Sequence, residues 1–268
     1  MSRARVLDEM QEVGLRATEL GPEGYLPVDP VELDPLLEAR GLQLVGGFTP
    51  VRLYRKAIMR RELASAERAA RTLSGAGART FVLGPASIHD GYDTPVELTD
   101  EEWAVFDEGL RRVTDICGDY GLVTALHPHW AMAVDRPQHI ERLLETCSVD
   151  ICLDTGHVAL SGGDPLEVAR MAGSRVVHVH LKDVDEHMAE QVRAGERLFR
   201  QAVIDGLFKP LGEGFVDIAA VVRYLESSGY QGWYVLEQDV SLTRVPPAGE
   251  GPIENARTSI DYLMDLGI

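Results

Sequence analysis

The segment 150–184 constrains the fold more than any other part of the sequence. It contains two short apolar runs, each followed by polar groups, with a predicted helix over about 163–172 between them. Asp154 ends the first run, and His178 and His180 lie two residues apart in the second, so their side chains share one face of a strand. Strand, helix and strand in this order predict a parallel pair. Ligand-type side chains therefore collect at the C-terminal ends of neighbouring strands, where α/β proteins place their chemistry.

The same alternation of periodicities runs through the whole chain. Apolar residues at helical spacing predict helices over 6–13, 31–39, 57–73, 99–118, 137–147, 163–172, 188–205, 217–227 and 255–266. Apolar or alternating runs predict seven strands, at 15–21, 41–50, 78–87, from 121 onwards, and at 149–154, 175–181 and 232–238.

Repeated strand and helix units of this length predict a parallel sheet with right-handed crossovers that closes into a (β/α)8 TIM barrel. One strand is missing from the count, because the chain opens with the helix 6–13 that should follow a first strand. No linker divides the sequence, so residues 1–268 are expected to form a single domain. A doubly wound open sheet is the alternative, although no GxGxxG opens the first helix.

The charge of the chain bears on its partners. There are 43 acidic residues against 26 basic ones, which gives a net charge of −17, and no block of lysines and arginines. Such a field repels phosphate backbones and anionic membrane surfaces, so neither nucleic acid nor a membrane is an expected partner. The acidic balance instead favours recruitment of a divalent cation.

Two further features point to the cytoplasm. The three cysteines, Cys117, Cys147 and Cys152, are odd in number and form no CxxC pair, which indicates reduced thiols. No apolar run approaches the roughly 18 residues of a membrane span, and the amino terminus has no apolar signal core.

Four strand ends carry side chains that suit a metal ion. His127 follows the fourth predicted strand and Asp154 the fifth, while His180 and Glu237 end the sixth and the last. A single histidine or glutamate of this kind is more often a satisfied polar residue, but four at the same pole of one barrel would converge. Two imidazoles and two carboxylates suit Mn²⁺, Co²⁺, Fe²⁺ or Zn²⁺ better than a sulfur-loving ion.

Other polar residues of the same strand ends are candidates for proton transfer. His129 lies two residues after His127 in the HPH sequence, His157 follows Asp154 in DTGH, and Lys182 follows His180 in HVHLKD. Imidazole and ammonium groups next to a metal are typical general acids and bases. We therefore predict that His129, His157, Lys182 and Glu237 are catalytic.

The segments LDTGHVALSGGDP, RVVHVHLKDV, GERLFRQAVIDGLFKPLGEGFVD and GWYVLEQD resemble the sugar phosphate isomerase/epimerase superfamily of xylose-isomerase-like TIM barrels. Within it, the HPH sequence and the LGEG segment resemble the inosose dehydratases of myo-inositol catabolism. The resemblance extends from about residue 6 to the C-terminus. It implies a divalent metal on Asp154, His180 and Glu237, with Mn²⁺ or Co²⁺ expected first and Fe²⁺, Zn²⁺ or Mg²⁺ as alternatives.

Four departures from the family pattern concern the barrel wall and the pocket. The superfamily commonly has Glu where this chain has His127, and the dehydratases usually have Glu or Gln six residues after HPH, where this chain has Asp135. WAMAV stands where a Gly-Thr pair is more usual, and the first strand is absent.

The candidate site suggests a reaction. A divalent ion on a ketone and an adjacent hydroxyl acidifies the α-carbon proton by stabilising an enediolate. We predict a dehydratase that removes this proton from a keto-cyclitol such as 2-keto-myo-inositol (inosose) and then expels the β-hydroxyl. A metal-dependent isomerase or epimerase is the first alternative. The second is a silent sugar-binding scaffold or a partner-dependent subunit resembling the C-glycoside-cleaving complexes, and a broken barrel edge also favours a homo-oligomer.

Overall fold

The structure is a computed structural model that describes residues 1–22 and 24–268. Its strands are β1 (Ala17–Glu19), β2 (Gln43–Val51), β3 (Thr80–Pro85), β4 (Val123–Leu126), β5 (Asp150–Asp154), β6 (Val176–Leu181), β7 (Asp183–Val184), β8 (Phe208–Lys209) and β9 (Tyr234–Leu236). Its helices are α1 (Arg3–Glu12), α2 (Pro30–Glu38), α3 (Lys56–Gly75), α4 (Asp100–Asp119), α5 (Pro137–Thr146), α6 (Thr155–Leu160), α7 (Pro165–Ala172), α8 (Glu186–Arg193), α9 (Phe199–Ile204), α10 (Ile218–Ser227) and α11 (Pro252–Asp265).

Seven strands form one parallel sheet in the order β1-β2-β3-β4-β5-β6-β9. Each strand of this sheet lies next to the one that precedes it in the sheet along the chain. A doubly wound fold would instead reverse the strand order partway across the sheet. The sheet curls into a nearly closed barrel, which confirms the predicted TIM-barrel class and excludes the open-sheet alternative. Across the described residues β1 and β9 do not pair with each other. The gap lies between the first and the last of the seven strands that the sequence predicts.

The outer ring of helices spans the gap that the sheet leaves open. Arg5 of α1 donates hydrogen bonds to the backbone oxygens of Pro246 and Pro247, in the segment that leads into α11. Arg257 of α11 forms an ion pair with Glu12 of α1. The first and last helices are therefore in contact, although the two edge strands beneath them are not paired.

Packing separates an apolar core from a polar pole. The main core lies between the sheet and the helices, and amphipathic helices such as α4 bury one face there. Inside the barrel a small apolar cluster of Val82, Ala125 and Cys152 fills the space between the strands. Polar side chains then occupy the barrel at the C-terminal ends of the strands. Thr99 and Glu102 form a capping box at the start of α4.

Two predicted elements differ in the structure. The helix predicted over 188–205 is broken into α8 and α9, because Gly195 adopts a positive φ of 71° between them. The short antiparallel pair of β7 and β8, which the sequence did not predict, holds the segment after β6 against the segment after α9. Among the described residues, no helix combines the length and the apolar character that crossing a bilayer requires.

Candidate metal and proton-transfer site

The four side chains predicted as metal ligands converge at the C-terminal pole of the barrel. His127 directly follows β4, Asp154 ends β5, His180 lies in β6 and Glu237 directly follows β9. One ligand atom from each lies within 4.8 Å of those of the other three. His127 Nε2 is 3.3 Å from Asp154 Oδ2, and His180 Nδ1 is 3.0 Å from Glu237 Oε2.

Asp154 divides its two oxygens between structure and site. Oδ1 accepts a hydrogen bond of 2.7 Å from the backbone N–H of His157 and so caps the start of α6. Oδ2 is completely buried and, among the residues that the structure describes, receives no hydrogen bond of good geometry. With the Lys182 ammonium 3.2 Å away, this oxygen at 0% exposure faces a charge of opposite sign, as burial of a carboxylate requires. Its orientation towards two imidazoles is what a metal ligand requires.

Lys182 is the internal cation of the site. Its Nζ lies 3.2 Å from Asp154 Oδ2, 2.8 Å from Glu237 Oε2 and 2.9 Å from Asp239 Oδ2. Burial alone would lower the pKa of Lys182, but these three carboxylates outweigh it and raise the pKa well above the usual range. The ammonium also lies 5.0 Å from the centroid of the Phe208 ring, which β8 holds over it.

The sequence around Lys182 explains how such a large side chain fits there. A Cβ on Gly156 would lie only 2.6 Å from the Cγ of Lys182, so the glycine of DTGH makes room for the lysine stem. The Thr155 hydroxyl donates to the backbone oxygen of Lys182 at 2.7 Å and accepts from its N–H at 2.9 Å. The two motifs DTGH and HVHLKD therefore fit together as one unit.

The charges of the site leave room for a divalent cation. Burial raises the pKa of Glu237, but Lys182 and His180 lower it well below the usual range. Burial opposes charge on His180, yet Cys152, Glu19 and Glu237 raise its pKa well above the usual range. The four carboxylates of Glu19, Asp154, Glu237 and Asp239 thus face one ammonium and one imidazolium. Two negative charges are uncompensated. A mixed nitrogen and oxygen donor set with this charge fits a divalent ion.

His129 and His157 form a stacked pair beside the ligand cluster. Their ring centroids are 3.7 Å apart. His129 Nδ1 lies 2.8 Å from the backbone oxygen of Trp130, which only accepts, so Nδ1 carries the proton and Nε2 has the free lone pair. Burial, with help from His127 and Lys182, lowers the pKa of His129 to about 3. His129 is therefore a neutral imidazole with an unprotonated Nε2.

His157 has the opposite tautomer. Its Nε2 lies 3.1 Å from the ammonium of Lys182, which only donates, so the ring proton is on Nδ1. Burial lowers its pKa well below the usual range, and His129 and Lys182 add to this effect. Within the described part of the chain, Nδ1 has no hydrogen-bond partner. The pair thus offers one free acceptor and one free donor.

Aromatic rings form the wall around the stacked imidazoles. Tyr92 lies 5.1 Å from His129 and 5.4 Å from Phe199, centroid to centroid. Phe48 lies 5.5 Å from His127. Tyr92 is 38% exposed, whereas His157 behind His129 is 1% exposed, so the site faces solvent on the side of Tyr92.

Two carboxylates of the site, Glu19 and Asp239, are not among the residues predicted from the sequence to act there. Asp239 lies two residues after Glu237, and this spacing could have placed both on one face of the strand end. Glu19 reaches His178 and His180 from the other side of the barrel. By contrast, Asp135 does not replace the family's Glu or Gln in the cluster. It pairs with His139 and Arg136 at 3.0 and 3.1 Å, around the start of α5.

Comparison with known proteins identifies relatives over nearly the whole chain. The family model described as xylose isomerase-like TIM barrel matches residues 7–266. The rhizopine catabolism protein MocC of Rhizobium meliloti is 32% identical over 249 residues, which cover 90% of this chain and 76% of that protein. The inosose dehydratase of Geobacillus thermodenitrificans is 32% identical over 270 residues, which cover 97% of this chain and 88% of that protein.

A solved structure shares the fold at lower sequence identity. The crystal structure of the IOLI protein with a binding zinc atom superposes with a TM-score of 0.71 at 15% identity. The match covers 98% of this chain and 95% of that one.

Proposed function

The chain belongs to the xylose isomerase-like TIM barrel family, and on that premise we propose that it is a metal-dependent hydro-lyase. Its substrate is a keto-cyclitol of the 2-keto-myo-inositol (inosose) type, and its setting is inositol-related catabolism in the cytoplasm. The observation that carries the proposal is the buried Asp154 Oδ2, which receives no hydrogen bond of good geometry from the described residues and lies at the centre of a His127, His180 and Glu237 cluster. Relatives named inosose dehydratase support an enzyme of this class.

A divalent ion would be held by His127, Asp154, His180 and Glu237, whose nearest ligand atoms lie within 4.8 Å of one another. Nitrogen and carboxylate donors in this ratio suit Mn²⁺ or Co²⁺, and Zn²⁺, Fe²⁺ and Mg²⁺ are alternatives. The ion supplies Lewis acidity, which lowers the cost of negative charge on a substrate ketone as the neighbouring carbon loses its proton.

His129 is the proton acceptor in this proposal. Its Nε2 lone pair is free, because Nδ1–H is held by the Trp130 carbonyl, and its low pKa keeps the ring neutral. Glu237 is less suited to accept the proton, since Lys182 and His180 already lie 2.8 and 3.0 Å from its Oε2. The electron pair of the broken C–H bond forms the new carbon–carbon double bond.

Lys182 and His157 are the proton donors. The hydroxyl on the adjacent carbon leaves with the C–O bonding pair and needs one proton to depart as water. The Lys182 ammonium carries such a proton, and its hydrogen bond to His157 Nε2 joins it to the imidazole pair. The proton that His129 removes and the proton that Lys182 delivers balance, so dehydration consumes no other reactant.

Metal content and turnover test the proposal directly. Protein purified without chelator is expected to hold about one Mn, Co, Fe or Zn per chain and to convert 2-keto-myo-inositol into a product with an enone absorbance. Asp154→Asn retains the helix cap, since Asn is also a good N-cap, but loses the ligand charge. We expect it to lose the metal and more than about 100-fold in turnover, a larger effect than that of a residue behind the ligands.

Asp164→Asn is the matched control, because Asp164 caps α7 through the same type of hydrogen bond and lies outside the cluster. It is expected to keep both metal and turnover. An Asp154→Asn protein with full metal content and full activity would refute the proposal.

A second candidate function starts from the same proton removal. Two stacked imidazoles, one with a free acceptor and one with a free donor, suit return of a proton to the substrate, as in an isomerase or epimerase. Incorporation of solvent deuterium into the substrate without an enone absorbance would identify this activity. Metal binding with turnover only after a partner protein is added would identify a subunit of a complex, and a protein that takes up no metal would be a sugar-binding scaffold.

A further inference from the structure

Glu19 contacts the metal cluster from the opposite side of the barrel. It ends β1, while the two histidines it contacts lie in β6, which is separated from β1 by four strands in the sheet order. Its Oε1 lies 2.8 Å from His178 Nε2 and 3.2 Å from His180 Nε2. The contact therefore crosses the interior of the barrel rather than following the sheet.

The carboxylate fixes which nitrogen of each ring carries a proton. Oε1 lies within hydrogen-bond distance of both Nε2 atoms, and both contacts are favourable only if the oxygen accepts from each ring. An ionised carboxylate can only accept, so Nε2 of both rings is the donor. In His180 this leaves Nδ1 on the side of Glu237 Oε2, at 3.0 Å, and of Asp154 Oδ2, at 3.9 Å. A metal ion in the cluster takes the place of a proton at Nδ1.

The His178 and His180 rings hold the Glu19 carboxylate in this position. His178 gives Oε1 a second N–H, so the carboxylate is held from two rings at once. Gly46 lies beside it in β2, where a Cβ would be 3.5 Å from Glu19 Oε1 and 3.0 Å from the backbone oxygen of Thr80. The distance to Glu19 is an ordinary contact, so β2 packs beside the carboxylate, and the tight neighbour of Gly46 is Thr80.

From this geometry we infer that Glu19 is a positioning residue for the metal, which acts by holding His180 with Nδ1 towards the cluster. The inference rests on the proposed metal-dependent function. A carboxylate behind a metal-bound histidine fixes its orientation and makes it a better ligand, and loss of such a partner typically weakens metal binding 10–100-fold. The competing interpretation is that Glu19 only ties the edge strand β1 to β6, in which case its loss would change stability and leave metal affinity unaltered.

Titration of metal-free protein with Co²⁺ and Zn²⁺ against a competing chelator separates the two interpretations. Glu19→Gln retains the shape of the side chain and one acceptor oxygen but loses the charge. We expect its dissociation constants to rise by about 10–100-fold relative to the wild type. Glu62→Gln is the matched control, since Glu62 is also a buried carboxylate and accepts from the backbone of Arg52, outside the barrel interior. Its metal affinity is expected to equal that of the wild type.

Each outcome decides between the proposals. Equal affinities of wild type and Glu19→Gln would overturn the role of Glu19 and leave the proposed function intact. A wild-type protein that binds no metal would overturn the proposed function and this inference with it. If Glu19→Gln does not fold, nitrogen NMR of zinc-loaded wild type gives the answer. His180 is expected to show Nε2 protonated and Nδ1 metal-bound, and the reverse pattern would overturn the inference.

Discussion

Replacement of Lys182 by Met tests whether the lysine is the internal counter-ion of the site. The side chain is 1% exposed and its Nζ lies within 3.2 Å of three carboxylates. Removal of one partner from a buried ion pair typically costs about 3–5 kcal/mol, because the remaining charge is left uncompensated. Glu237 and Asp239 are 34% and 41% exposed, so water screens part of their charge. Asp154, at 0%, dominates the cost, and we expect a loss near the lower end, about 3 kcal/mol.

This loss converts into a measurable shift in melting temperature. Unfolding entropy is about 2.1 cal/mol/K per residue, which for 268 residues gives about 0.56 kcal/mol/K. Metal-free Lys182→Met is therefore expected to melt about 5 °C below the wild type. Lys209→Met is the matched control, since Lys209 forms a half-exposed pair with Asp185 at 3.4 Å. Such a pair contributes less than about 1 kcal/mol.

Calorimetry and urea unfolding of metal-free protein at neutral pH give both numbers. Addition of Zn²⁺ is expected to stabilise Lys182→Met more than the wild type, because the ion then compensates the same carboxylates without competition from the ammonium. A metal-free Lys182→Met protein whose unfolding free energy lies within about 1 kcal/mol of the wild type would refute the reasoning, since Lys182 would then contribute no more than a surface ion pair.

Three further predictions concern strain, pH and a loop. Ala131 is buried and adopts a φ of +57°, so Ala131→Gly relieves about 1–2 kcal/mol of left-handed strain and loses about 0.8 kcal/mol of methyl burial. Urea unfolding should therefore show a small gain in unfolding free energy, whereas the control Ala133→Gly should show a loss. Equal losses in the two variants would contradict the strain. Because the pKa of Glu19 falls from 4.5 to about 2 on folding, its contribution of up to about 3 kcal/mol to the unfolding free energy is present above pH 4.5 and is lost as the pH falls towards 2. Glu19→Gln should flatten the dependence of unfolding free energy on pH in this range. An unchanged slope would argue against this contribution. The Asp183 carboxylate accepts from four backbone N–H groups, and Asp183→Asn should leave two of them unpaired. We expect the variant to lose at least about 2 kcal/mol of unfolding free energy and to show faster amide exchange in the segment 211–216. Unaltered exchange there would speak against Asp183 as the residue that holds this loop.

The architecture and the ligand cluster could be predicted because both follow from local periodicity. Strands of period two, alternating with helices, determine a parallel barrel, and the C-terminal ends of its strands must meet at one pole. His127, Asp154, His180 and Glu237 each lie at such an end, so their convergence needed no knowledge of side-chain contacts. The seven strands of the sheet were predicted in the same way, from periodicity alone.

The contacts that cross the barrel could not be predicted in this way. Glu19 and His180 are 161 residues apart in the sequence and lie on strands that are not neighbours. Their contact depends on the curvature of the whole sheet, which no local pattern records. The position of Lys182 among three carboxylates likewise depends on how α6 and β8 pack over the strand ends, and β8 is a two-residue strand without a recognisable pattern.

The gap between β9 and β1 gives the site a mechanical link to the least protected part of the sheet. The N–H of Glu237 bonds to Leu181, so by the alternation of a strand the N–H groups of Tyr234 and Leu236 face the gap. These amides are expected to exchange with solvent rapidly, through local opening rather than global unfolding. The His180 ring joins the two edges, since one nitrogen contacts Glu237 after β9 and the other contacts Glu19 at the end of β1. Local opening of the two edge strands and metal binding at the ligand cluster are thus expected to affect each other through the His180 ring, which contacts both edges.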